Sequence, residues 1–101
     1  GFAGDYVKAM WLMLQQDSPD DYVLATGKTY SVQQFLEETF RIAGLDIKEC
    51  VEIDERLFRP HEVPLLLGDS SKARKKLKWT PGTSFCELVK MMYEYDLEQI
   101  K

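Results

Sequence analysis

Two cysteines, one histidine and no long apolar run set the first limits on this 101-residue chain. Cys50 and Cys86 lie far apart, with no Cys-x-x-Cys pair and no histidine cluster beside them. Neither a zinc site nor a disulfide framework is expected, and a reducing, cytoplasmic setting fits. No apolar stretch approaches the roughly 18 residues that a membrane span needs. The opening Gly-Phe-Ala-Gly-Asp lacks the basic start and cleavage site of a signal peptide. A basic excess is missing too, because 13 lysines and arginines face 17 acids for a net charge of −4. That balance argues against general binding to nucleic acid or to an anionic membrane. There is no initiator methionine, as expected of a segment of a longer protein.

Catalytic and cofactor signatures are also lacking. No G-x-G-x-x-G or G-x-x-G-x-x-G follows a strand, so nothing is expected to cradle a pyrophosphate. None of the tyrosines at 6, 22, 30, 93 and 95 has a lysine four residues on, the pairing by which a dehydrogenase tyrosine becomes a base. His61 stands alone and is read as an exposed loop residue, neither catalytic nor metal-binding.

What is there reads as one small globular lobe over residues 1–101, with no linker, repeat or low-complexity stretch. From Asp5 to Gln16, Val7, Met10, Trp11 and Leu14 share one helical face, with Asp5 as cap. Ser18-Pro19-Asp20-Asp21 breaks the chain, and Tyr22 to Ala25 reads as a buried strand closed by Thr26-Gly27. Ser31 and Gln34 form a capping box, and Val32, Phe35, Leu36, Phe40 and Ala43 carry a second helix to a glycine stop at Gly44.

Cys50, Glu52 and Asp54 alternate with Val51 and Ile53, the period of a strand with one buried face. Strand, helix, strand suggests a right-handed parallel crossover. Leu65 to Leu67 reads as a third, short buried strand, followed by a short helix with Ala73 and Leu77 inside. The basic cluster Lys72, Arg74, Lys75, Lys76 and Lys78 is read as that helix's solvated face. Ser84 and Glu87 cap a last helix whose inner face is Phe85, Leu88, Val89, Met92 and Tyr95. The expected fold is a small mixed α/β domain of about four helices and two or three short strands.

The most informative stretch is Arg59-Pro60-His61-Glu62. A guanidinium offers a planar fork of donors matched to phosphate oxygens, and a carboxylate three residues on accepts from vicinal sugar hydroxyls. The proline holds the loop in one shape and lowers the ordering cost of binding. Taken by itself, such a pair is also what an ordinary surface ion pair looks like.

The neighbours change that balance. GFAGDYVKAMWLMLQ from Gly1, YVLATG, Ser31-Val32, FRPHEV, LLLGDSSKARKKLKW and a closing amphipathic helix resemble, in order and spacing, the C-terminal part of the GDP-mannose 4,6-dehydratase family. The resemblance covers essentially the whole chain. It implies the C-terminal, substrate-binding lobe of an extended short-chain dehydrogenase/reductase, whose Rossmann half lies outside these residues. Members of that family convert GDP-mannose to GDP-4-keto-6-deoxymannose, toward GDP-fucose, with tightly held NADP. By the resemblance Arg59 contacts the substrate diphosphate and Glu62 the nucleotide ribose. The catalytic Thr or Ser, Glu, Tyr and Lys are implied to lie in the missing half, so this chain has no catalytic residue and binds no cofactor itself. The parent is expected to be a homo-oligomer.

Trp11 and Trp79 are read as core. Two departures from the family pattern are Pro64, where an acid is common, and Lys78, where a glycine commonly precedes Trp79. Lys78 is expected to do no more than favour a helix C-terminus. An apolar surface on the first helix and at Tyr22 to Ala25 is expected to lie uncovered without the other half. Two alternatives stay open: a lobe of a related nucleotide-sugar reductase or epimerase, and an autonomous nucleotide-binding or interaction module.

Overall fold

The computed structural model describes every residue from Gly1 to Lys101. Helices account for all of its regular structure: α1 (Ala3–Leu14), α2 (Val32–Ala43), α3 (Ile47–Cys50), a 3₁₀ turn (Glu55–Leu57), α4 (Ser71–Lys76) and α5 (Phe85–Gln99). The expected mixed α/β fold is overturned in its β part, because no strand forms at 22–25, 50–54 or 65–67, and no crossover follows. A period of two says which side of an extended chain is apolar. A strand also needs its N–H and C=O groups to meet those of a neighbour across a ladder. Here Cys50 is taken into α3, and Ile53 and Leu66, expected inside, are 79% and 74% exposed.

The chain divides into two compact units, the first made of Gly1–Thr29 and Leu67–Leu88, the second of Tyr30–Leu66 and Val89–Lys101. In the first, Ala9, Ala73, Leu77 and Trp79 form a buried core, with Tyr6, Leu12, Met13, Tyr22 and Leu24 packed on it. Trp79 is 2% exposed, and its indole Nε1–H donates to the Asp5 carbonyl at 2.9 Å. Its ring lies 6.1 Å from that of Tyr6, within the range of a favourable aromatic pair.

Asp5 does not cap α1. The N-cap is Phe2, without a side-chain bond, while the Asp5 carboxylate accepts the Thr83 N–H at 3.0 Å. The face shared by Val7, Met10, Trp11 and Leu14 is exposed, so Trp11, read as core, stands 60% in solvent. The uncovered surface expected on this helix is there. At residues 22–25 it is confined to Val23, since Tyr22, Leu24 and Ala25 are half-buried.

Side chains, not a ladder, hold that extended segment. Lys72 and Lys76 of α4 both reach the Asp20 carboxylate, at 2.8 and 3.2 Å. Lys72 also donates to the Asp21 carbonyl and sits 5.1 Å over the Tyr22 ring. Arg74 donates to the Thr26 carbonyl and to Ser70 Oγ. Much of the cluster read as a solvated face is therefore a clamp. A side chain at Gly68 would put a Cβ 2.6 Å from that of Ala25, so glycine permits the close approach of these two extended stretches.

Lys78 departs from expectation in a different way. Its φ of 54° is left-handed, a conformation that favours glycine, so the lysine strains the backbone just beyond α4.

The second unit follows its local signals closely. Ser31 Oγ accepts the Gln34 N–H at 3.0 Å, and the Gln34 side chain accepts the Ser31 N–H at 2.7 Å, completing the capping box. Gly44 ends α2 at a φ of 71°, and α2 and α3 pack together. Phe35, Leu36, Phe40 and Ala43 are half-buried as expected, whereas Val32 is exposed. At the start of α5, whose residues up to Leu88 belong to the first unit, Ser84 Oγ likewise accepts the Glu87 N–H and donates to its carboxylate. Along α5 the less exposed positions are Phe85, Leu88, Val89, Tyr93 and Leu97, so Phe85, Leu88 and Val89 lie inside as expected, while Met92 and Tyr95 face solvent.

Candidate functional site

The Arg59–Glu62 loop begins from a well-defined turn. Asp54 caps the 3₁₀ turn, its Oδ1 accepting the Arg56 N–H at 2.9 Å. The Leu57 and Phe58 N–H groups then donate to the carbonyls of Asp54 and Glu55. Phe58 leaves the turn extended, and Arg59 is pushed toward extended geometry by the ring of Pro60. The chain bends at Pro60 and again at Pro64, one of the two departures from the family pattern.

Across the first bend the structure brings the two sequence-predicted residues together. Arg59 Nε lies 3.7 Å from Glu62 Oε1, with the side chains 80% and 66% exposed. A solvent-facing pair of this kind is worth only ~0–1 kcal/mol. A ligand with stronger acceptors can therefore take the guanidinium fork at little cost, leaving the Glu62 carboxylate free to accept hydroxyl donors. His61, between them, is exposed, and no group of three His, Cys, Asp or Glu side chains is placed to hold a metal.

Asp54 is the residue that sequence reasoning passed over. Both its oxygens also accept from the Arg56 side chain, at 2.7 to 3.2 Å. The Arg56 guanidinium, then the Arg56 N–H, hold the Asp54 carboxyl below the usual carboxylate range, and the side-chain bond to Asp54 raises Arg56. The signal was an aspartate two residues before a residue whose N–H needs a partner, the pattern of an Asx cap.

An open cavity of about 280 Å³ in the first unit is lined by Gly27, Leu67, Gly68, Asp69 and Ser70. The Ser71 hydroxyl, then its N–H, donates to Asp69 and keeps that carboxyl below its ordinary value.

A family described as GDP-mannose 4,6 dehydratase matches residues 1–92. An Arabidopsis thaliana protein named GDP-mannose 4,6 dehydratase 1 is 57% identical over 101 residues, covering all of this chain and 28% of the relative. Proteins named GDP-mannose 4,6 dehydratase from Dictyostelium discoideum and Homo sapiens are 48% and 42% identical over 118 aligned residues, again covering the whole chain and 33% and 32% of themselves. This chain thus spans about a third or less of the curated relatives it matches. With its family match running from Gly1 to beyond the start of α5, and Arg59 and Glu62 inside it, the chain belongs to the GDP-mannose 4,6-dehydratase family.

Proposed function

We propose that this chain is the nucleotide-sugar-binding part of a GDP-mannose 4,6-dehydratase, with Arg59 holding the diphosphate and Glu62 the ribose. The observation that carries this reading is the meeting of the Arg59 fork and the Glu62 carboxylate across the Pro60 bend, both open to solvent. On this reading the chain supplies binding. It fixes the GDP handle so that the hexose is oriented for chemistry elsewhere, a use of remote binding energy.

The parent activity would be that of an NADP-dependent lyase, homo-oligomeric and cytoplasmic. The residues present do not fit a dinucleotide. Its usual cradle is a strand running through a glycine-rich turn into a helix, with open space beside the glycines. Within these residues no strand runs through a glycine-rich turn into a helix, and the space beside Gly1 and Gly4 is filled by the side chains of Tyr6 and Phe2. The apolar face of Val7, Met10, Trp11 and Leu14 is where this reading seats the remainder of a full-length family member.

The test is a titration of the protein with GDP. Arg59→Ala removes charge-assisted bonds worth on the order of 1.5–3 kcal/mol, so affinity should fall roughly 10- to 150-fold. Arg59→Lys should recover part of the loss, since an ammonium keeps the charge without the fork. Glu62→Gln should cost less, because an amide oxygen still accepts from a hydroxyl. Circular dichroism checks that each variant stays folded. If Arg59→Ala binds GDP as tightly as the unaltered protein, the loop is a surface ion pair and the site assignment is wrong.

A further inference from the structure

We infer that Asp54 is a positioning residue for this loop, its carboxylate capping the 3₁₀ turn from which Arg59 is presented. The inference rests on Arg59 being the diphosphate contact.

Between Asp54 and Pro60 nearly every residue is constrained. The Arg56 N–H is fixed by the Asp54 carboxylate, and the Leu57 and Phe58 N–H groups by the turn's own carbonyls. Arg59 is restricted by the proline after it. The Asp54 side chain is the one contact in this series that a single substitution removes without altering the backbone. A three-residue turn has little stability of its own, so an unsatisfied N–H at its start would let it open. Arg59 would then sample many directions, and GDP would have to order the loop on binding.

Asp54 makes two kinds of bond, and they can be separated. One is the cap to the Arg56 N–H; the other is the fork to the Arg56 guanidinium. The Arg56 side chain is 88% exposed, so the fork lies in water and should matter little. The cap should carry the effect. Asp54→Ala is expected to weaken GDP binding about five-fold, the affinity equivalent of a lost cap. Asp54→Asn keeps an acceptor for the N–H and should recover most of that loss. Arg56→Ala breaks only the ion pair and should bind GDP like the unaltered protein.

The experiment combines GDP titration of these variants with amide hydrogen exchange at Leu57 and Phe58. Asp54→Ala should speed exchange at both amides without GDP present, and its effect on GDP binding should largely vanish in an Arg59→Ala background. Unchanged exchange, equal losses in Asp54→Ala and Arg56→Ala, or full additivity with Arg59→Ala would each overturn the positioning role. Those results leave the site standing so long as Arg59→Ala alone weakens binding. Failure of GDP to bind the unaltered protein, or an Arg59→Ala protein that binds normally, would overturn the site and this inference together.

Discussion

The unit made of Gly1–Thr29 and Leu67–Leu88 is tied by side chains far apart in the sequence: Trp79 to Asp5, Thr83 to Asp5, Lys72 and Lys76 to Asp20, and Arg74 to Thr26. The unit containing Tyr30–Leu66 carries its capping and ion-pair bonds between near neighbours, at Ser31 with Gln34, Asp46 with Lys48, Asp54 with Arg56, and Arg59 with Glu62. Contacts of the first kind require closure of long loops before they form, so they tend to form and break as a group. Local contacts can open one at a time. The Arg59–Glu62 loop lies among the local ones, which leaves its shape to individual caps and prolines.

The difference can be broken at its strongest point. Trp79→Ala should cost ~3–5 kcal/mol in urea unfolding, because it opens a cavity between α1 and α4 and leaves the Asp5 carbonyl without its donor. Trp11→Ala, on the exposed face of the same α1, should stay within ~0.5 kcal/mol of the starting protein. Equal losses for the two tryptophans would mean that the Trp79 cluster is not the centre of this unit.

A smaller change sharpens the contrast by strengthening the first unit. Lys78→Gly relieves a left-handed backbone that a lysine adopts at a cost, so the urea midpoint should rise by the equivalent of about 0.5–1 kcal/mol. Lys78→Ala keeps a Cβ and should give no such gain. A midpoint that rises equally in both would trace the effect to the lost charge.

The smallest expected effect comes from acid. Lys72, then the Asp21 N–H and Lys76, hold the Asp20 carboxyl well below the usual carboxylate range. A folded value below the unfolded one means that the clamp stabilises above the unfolded pKa of about 4 and is lost as pH falls further toward the folded value. The Tm should therefore drop less between pH 7 and pH 3 in Asp20→Asn than in the unaltered protein. An identical drop in both would show that the clamp adds nothing to stability.

Caps were the most legible part of the fold. Ser31 with Gln34, Ser84 with Glu87, and Gly44 each mark a helix boundary where the structure has one, because the bonds involved join residues no more than four apart. Arg59 and Glu62 were legible for the same reason, with one proline bend between them. The strand expectations failed because alternation at 50–54 and the leucines at 65–67 describe side chains, while a strand depends on a neighbouring backbone. Asp54 was read only as part of that alternation, and its role became visible once residues 55–57 proved to be a turn.

The sequence by itself determined the family, the helix boundaries set by capping boxes, and the pairing of an arginine with a glutamate around Pro60. Tertiary structure decided which face of α1 meets Ala73, Leu77 and Trp79, that Asp5 ties α1 to Thr83 instead of capping it, and that lysines on α4 secure the extended segment after Asp20. It also decided that Lys78 takes a glycine's conformation. The division follows from the range of the forces: a cap is satisfied within one turn of chain, whereas burial, long-range clamps and strand pairing depend on partners that only the folded chain brings near.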